Sequence, residues 1–299
     1  MIEVEGVSKR FQEIEALNSV TLAVKKGSIY GLAGTNGAGK TTLLKILTGV
    51  YRQDSGQVKY DGENIFENND LKARIVFIPD NPYFFTNYTI DDMANFYRRI
   101  YPRWEQGRYL KLREAFNIDM KRRIRTLSKG MQRQVAFWLG LSIAPDIMML
   151  DEPLDGLDPV MRQKVKNLII QDVAEREMTV IISSHNLREL EDVCDVIGIL
   201  HQGKMLIQKD LDDLRADVHK IQVAFSDGVP ESLLQDMQTL RQERKGNVLI
   251  MVVRGSHDET VRRIQSFNPA ILDILPLTLE EIFICEMGDC GYEIKNILY

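Results

Sequence analysis

Residues 34–42 read Gly-Thr-Asn-Gly-Ala-Gly-Lys-Thr-Thr, a full match to the phosphate-binding loop G-x-x-x-x-G-K-[ST]. The flanks have the order the motif requires. Ile29–Ala33 is a short apolar strand, and Leu43–Val50 has helical spacing. In such a loop, backbone N–H groups turn inward around phosphate oxygens, aided by the positive end of the following helix. The loop residues Asn36, Gly37, Ala38, Gly39 and Thr42 are the expected cradle. Lys40 is placed to reach the terminal phosphates, and the Thr41 hydroxyl to ligate Mg²⁺. A plain glycine turn before a helix would not need every fixed position filled, so the chain is expected to bind a nucleoside triphosphate.

Composition narrows the class. The chain has 299 residues, enough for one large domain and a small one. A formal charge of −5 gives no electrostatic support for nucleic-acid binding. The cluster Lys121-Arg122-Arg123 with Arg125 reads as a solvated face. Cys194, Cys285 and Cys290 have neither metal spacing nor an even-numbered disulfide framework, and are expected to be reduced thiols of a cytosolic protein. Met1–Glu5 is acidic and has no apolar run, unlike a secretory leader. No apolar stretch approaches bilayer length, so a function at a membrane would need a second chain to supply the span.

The pattern along the chain predicts an α/β protein. Ile2–Val4 and Val20–Val24 alternate like antiparallel strands, and turns at 54–56 and 61–62 bracket a strand over 57–60. Ile75–Ile78 is a short buried strand. A mostly helical stretch over 89–124 breaks near Pro102. Gly130–Ala144 reads as a helix that is apolar around much of its circumference. Strands Ile147–Leu150, Val180–Ile182 and Val196–Leu200 alternate with helices 160–176 and 188–193, which argues a parallel sheet covered on both faces. Gly203 marks the turn of a final hairpin. From about residue 211 the pattern changes to strands 220–225 and 248–253 and helices 233–242 and 258–267, a small α+β domain.

The strand at 147–150 ends in Asp151-Glu152. Neighbouring strand residues face opposite sides, so one carboxylate can face Mg²⁺ and the other a water aligned on the γ-phosphate. Parallel α/β sheets bind ligands at that strand end. Asp151 is therefore the expected metal acid and Glu152 the expected general base.

Leu127-Ser128-Lys129-Gly130-Met131-Gln132 resembles the signature motif of ATP-binding-cassette (ABC) ATPases, and it precedes the acidic strand as in that family. Lys129 and Met131 depart from the usual residues, while Ser128 and Gly130 are kept. The resemblance implies that this motif meets the γ-phosphate bound by an opposite subunit. Leu154-Asp155-Gly156-Leu157-Asp158 looks like the D-loop, with Asp158 facing the partner, and Ser183-Ser184-His185 looks like the switch histidine. Phe11, with Ala16 nearby, resembles the aromatic that stacks on adenine. The family normally has Gln or Glu where this chain has Asp80. Asp80 remains a candidate Mg²⁺ ligand one methylene shorter. Either the loop sits closer, a water intervenes, or the sensing role is weakened.

The resemblance covers residues 1 to about 208. It implies a P-loop NTPase of ABC type over 1–210, whose mixed sheet carries an antiparallel subdomain and a helical subdomain (about 82–144), followed by a small α+β domain over 211–299. It implies an ATPase using ATP and Mg²⁺, a homodimer or heterodimer with a homologous ATPase, no nucleic acid, and an integral membrane permease as partner. The protein would then be peripheral on the inner face of the cell membrane. The aromatics Tyr83, Phe84, Phe85 and Tyr88 lie where the family docks a membrane helix, although rings of this kind also serve a domain's own core. Leu277-Thr278-Leu279-Glu280-Glu281-Ile282-Phe283 is similar to the C-terminal segment of drug and lipid exporter ATPases, and Tyr101-Pro102-Arg103-Trp104 resembles bacterial export systems. The apolar end over 271–284 offers a surface for a twin. The alternative is a non-transport ABC ATPase acting on a ribosomal or other cytosolic partner. Ribosomal types usually carry two ATPase modules, and DNA-repair types need a coiled coil longer than the roughly ninety residues between loop and signature. A small-molecule kinase would have no use for the signature, D-loop or His185.

Overall fold

The computed structural model describes residues 1–284 apart from 227, 236 and 283. Contacts divide the chain into two units, Met1–Gln208 and Lys209–Tyr299.

The first unit begins with β1 (Ile2–Phe11) and β2 (Ile14–Val24), then β3 (Ile29–Ala33) and α1 (Lys40–Leu47). Next come β4 (Ser55–Tyr60), β5 (Glu63–Asn64), α2 (Asn69–Lys72) and β6 (Ile75–Ile78). Helices α3 (Ile90–Ile100), α4 (Gln106–Phe116) and α5 (Lys129–Ser142) follow. The chain then alternates through β7 (Ile147–Asp151), α6 (Pro159–Arg176), β8 (Thr179–Ser184), α7 (Leu187–Glu191), β9 (Val196–His201) and β10 (Lys204–Asp210).

These strands make two sheets. One is antiparallel, in the order β2-β1-β4-β5. The other has the order β10-β9-β3-β8-β7-β6, and its β6–β7–β8–β3–β9 run is parallel. Strands β3, β7 and β8 are buried at every residue, as a sheet covered on both faces requires. Leu43, Leu44, Ile46 and Leu47 of α1 share one apolar cluster with Val4 and Val20 of the antiparallel sheet and Leu32, Met149 and Ile181 of the parallel one. The helix that opens at the phosphate loop is thus clamped by both sheets, which makes the loop a rigid platform.

The helical stretch is divided as its caps dictate. Thr89 and Asp92 form a reciprocal capping box at the start of α3. The helix expected to run to 124 ends instead at Phe116, where Asn117 turns left-handed (φ 50°). Trp138 of α5 stacks on Tyr109 of α4 at 4.9 Å, and its Nε1 donates to the Tyr109 carbonyl at 2.7 Å. Cys194 is buried, and burial foremost, with Asp195 beside it, pushes its thiol pKa up. Cys285 and Cys290 lie outside the described residues.

The second unit contains α8 (Leu211–Asp217), β11 (Val218–Ala224), β12 (Gln238–Lys245), β13 (Val248–Arg254), α9 (His257–Gln265) and β14 (Ile271–Leu275). Its sheet is antiparallel, in the order β12-β13-β11-β14. The helix expected over 233–242 is a correction. Glu231–Leu234 is a single 3₁₀ turn, and Gln238–Lys245 pairs with β13 along an edge. Its polar residues are good helix formers, but backbone pairing to the buried Leu249, Met251 and Val253 strand overrides that preference. Ile271 and Ile274 lie half-exposed on edge strand β14. Phe283 of the exporter-like segment lies outside the described residues. Among the described residues, no helix is long and apolar enough to cross a membrane.

Candidate nucleotide site

The glycine-rich loop joins β3 to α1 at the C-terminal edge of the parallel sheet. Gly39 caps α1 with φ 108°, and a Cβ there would meet the Ala16 carbonyl oxygen at 2.5 Å. Only glycine allows that conformation and that approach. No side chain caps α1, which leaves its first-turn N–H groups available to an anion. A cavity of about 500 Å³ opens there. Its lining includes Asn36, Gly37, Ala38, Gly39, Lys40, Thr41 and Thr42 from the loop. Asp80, Asp151 and Glu152 come from the strand ends, and Ile14, Glu15, Ala16 and Gln202 from the rim. The volume falls in the usual range for a small-molecule site.

The charged groups converge in one network. Lys40 Nζ donates to the carbonyls of Gly34 at 2.6 Å and Thr35 at 3.3 Å. It also lies 3.1 Å from Glu152 Oε1. That oxygen is buried and accepts no hydrogen bond, so the contact is coulombic. Asp151 is fixed from both sides: Thr41 Oγ1 donates to Oδ2 and Ser183 Oγ to Oδ1, each at 2.7 Å. Glu152 leaves the strand with φ 47°, its N–H bonded to Ser183, which turns its carboxylate across the cavity. His185 Nδ1 lies 2.9 Å from Glu152 Oε2, and the His185 N–H donates to the same oxygen at 3.3 Å. Ligand atoms of Glu152, Asp155 and His185 all lie within 4.8 Å of one another.

The structure thus brings together Lys40, Thr41, Asp80, Asp151 and Glu152, with His185 alongside. It places other predicted residues elsewhere. Ser128 accepts from the Met131 N–H and caps α5; Asp158 accepts from the Met161 N–H and caps α6. Neither lines the cavity of its own chain. Gly130 has an intrachain reason to be glycine, because a Cβ would meet the Gly156 carbonyl oxygen at 2.7 Å. Phe11 is outside the lining; its ring stands edge-on to Tyr51 at 5.5 Å with Lys9 above it. Phe11 pairs across the hairpin with Ile14, which does line the cavity.

Four contributors do not stand out in the sequence: Ser183, Ile14, Glu15 and Gln202. Ser183 is in register with Asp151 across β7 and β8, and its place just before His185 was an available signal. Ile14 and Glu15 open β2 and Gln202 lies in a turn, places where a single sequence gives no signal for facing a ligand. Beyond the cavity, the aromatic segment forms a ladder in which Phe85 contacts Tyr83 at 6.2 Å, Tyr88 at 4.9 Å and Phe96 at 5.1 Å. Tyr83 is 79% exposed at its end.

Comparison with known proteins places this geometry. The profile of the ABC transporter family matches residues 17–155. The ABC transporter ATP-binding protein YtrB of Bacillus subtilis is 32% identical over 288 residues, 96% of this chain and 98% of its own length. The bacitracin transport ATP-binding protein BcrA of Bacillus licheniformis is 32% identical over 218 residues, 72% of this chain and 71% of its own. Among solved structures, a dimeric post-hydrolysis state of the cassette MJ0796 bound to ADP and phosphate aligns with a TM-score of 0.64. It is 22% identical and covers 71% of this chain and 99% of its own, a likeness of fold.

Proposed function

The chain belongs to the ATP-binding subunits of ABC transporters and is an ATPase, and on that premise we propose how its residues divide the work. ATP enters the cavity with its phosphates in the cradle of residues 36–42. Lys40 then exchanges its carbonyl and Glu152 contacts for the β- and γ-phosphates. The base lies at the rim beside Ile14 and Ala16, with Phe11 behind Ile14 on the same hairpin.

The donor set fits Mg²⁺: a hydroxyl and a buried carboxylate, already oriented 2.7 Å apart on Thr41 and Asp151. When bound, the ion neutralises charge on the β- and γ-phosphate oxygens. Asp80, the third residue expected at the metal, lines the same cavity. Glu152, released from Lys40, takes a proton from the attacking water, and His185 holds the Glu152 carboxylate in place and turns to the γ-phosphate. Ser128, Gly130 and Asp158, which do not line their own cavity, serve the site of a second copy or a homologous ATPase, closing two ATP molecules head to tail. The ATPase couples to a separate membrane permease, with the aromatic ladder ending at Tyr83 as the docking surface and the inner membrane face as the place of work. Export is the direction proposed, on the likeness of residues 277–283 to exporter ATPases.

The observation that carries this reading is the Lys40–Glu152–His185 and Thr41–Asp151–Ser183 network at the foot of one cavity. Glu152→Gln tests it. The variant is expected to bind ATP, lose at least about a hundredfold in hydrolysis, and accumulate an ATP-dependent dimer on gel filtration. Hydrolysis at the wild-type rate would remove Glu152 from the role.

A further inference from the structure

A single guanidinium joins three parts of the site that the sequence motifs treat separately. Arg133 lies on α5, five residues past the Ser128 cap, and its side chain is buried. Its Nη2 donates to the Asp80 main-chain carbonyl at 2.5 Å and to the Asp80 carboxylate Oδ1 at 2.6 Å. Its Nη1 donates to the Asp155 carbonyl. Asp80 Oδ2 is taken by the Asn81 side-chain amide at 2.7 Å. Both carboxylate oxygens thus have partners other than Thr41 and Asp151, whose own oxygens bond to each other and to Ser183. A planar fork of five donors suits three acceptors on two loops, and a lysine would not.

We propose that Arg133 is a positioning residue of the hydrolytic site. It holds Asp80 as the anion of a charge pair with the signature helix, leaves Mg²⁺ to Thr41 and Asp151, and makes the Asp80 loop, the Asp155 loop and the Ser128-capped helix move together. This resolves the shorter side chain at position 80: Asp80 does not reach the metal because its partner is Arg133. The proposal rests on the reading that this cavity hydrolyses ATP. It predicts that Asp80 and Arg133 act through each other, whereas a metal ligand would act alone.

The test compares wild type, Asp80→Asn, Arg133→Gln and the double variant. Hydrolysis is followed at saturating ATP while Mg²⁺ is titrated, and thermal unfolding is followed without nucleotide. Each single change is expected to lower kcat about tenfold, a loss of about 1.4 kcal/mol in the barrier. The double variant should be no slower than the worse single, and the Mg²⁺ half-saturation should stay within about twofold of wild type. A rise of tenfold or more in Mg²⁺ half-saturation for Asp80→Asn alone, or losses that multiply in the double variant, overturns the proposal. Should Arg133→Gln fail to fold, Arg133→Lys carries the same comparison, since it keeps the charge and gives up the fork: kcat is expected to fall with Mg²⁺ half-saturation unchanged, and unchanged kcat overturns the proposal. A wild-type protein that hydrolyses no ATP would overturn the parent reading instead. The unfolding measurements then still decide the pair, with non-additive shifts supporting it and additive shifts overturning it.

Discussion

Lys40→Met removes one ammonium from the foot of the cavity while keeping much of its stem. Before nucleotide binds, that ammonium lies 3.1 Å from Glu152 Oε1 and bonds two loop carbonyls. At an effective dielectric near 20 the gross attraction across that distance is about 5 kcal/mol. Desolvation of both ions returns much of it, and two charge-assisted bonds to carbonyls add back roughly 1–3 kcal/mol. The net loss is about 2–3 kcal/mol, because the variant leaves the Glu152 carboxylate beside Asp151 without its cation. At about 2–4 °C per kcal/mol for a unit of this size, Tm without nucleotide should fall by about 5–10 °C. The same change removes the phosphate cation, so hydrolysis should fall at least about a hundredfold. Scanning calorimetry without nucleotide and a phosphate-release assay measure the two effects. In a Glu152→Gln background the stability cost of Lys40→Met should shrink by about 1 kcal/mol or more, since the charge pair is already gone. An unchanged Tm, or an equal cost in both backgrounds, would refute the argument that Lys40 and Glu152 hold each other before ATP arrives.

Gly130→Ala sets a Cβ 2.7 Å from the Gly156 carbonyl oxygen. Overpacking against backbone should cost about 1–3 kcal/mol, seen as a lower Tm without nucleotide, and a raised Tm would contradict the close approach. Asp146 supplies a pH dependence. Burial raises its carboxyl pKa, but Arg74 at 2.6 Å and Arg103 at 2.5 Å outweigh burial and hold it below the ordinary value. A depressed carboxyl stabilises the fold above its unfolded pKa of about 3.9, and that contribution is lost as pH falls through the folded value. Asp146→Asn should therefore lower Tm at pH 7, with the gap from wild type closing below about pH 4. A gap that stays constant with pH would remove Asp146 from the account.

The first unit was largely legible because its signals are local. Residues 34–42 between an apolar strand and a helix admit one arrangement, and Asp151-Glu152 at a strand end could only meet that loop at the same sheet edge. What was not legible depends on tertiary contact. Gln238–Lys245 reads as a helix on propensity and became an edge strand because β13 offered it a ladder. Asp80 stood out as a departure, but its partner was hidden, since nothing local to Arg133 says which face of a buried helix meets two loops. Ser128 and Asp158 show the reverse case. Their motif resemblance assigns them a phosphate and a partner that one chain does not contain, and the structure shows them as helix caps outside the lining of their own cavity.

The position of the Ser128-capped helix when ATP binds decides between a head-to-tail pair and a site complete in one chain. A structure of Glu152→Gln with ATP and Mg²⁺ is expected to show two chains head to tail, Lys40 of one on the same γ-phosphate as Ser128 of the other. Two ATP-loaded chains in which each Ser128 remains remote from every phosphate would contradict the head-to-tail pair.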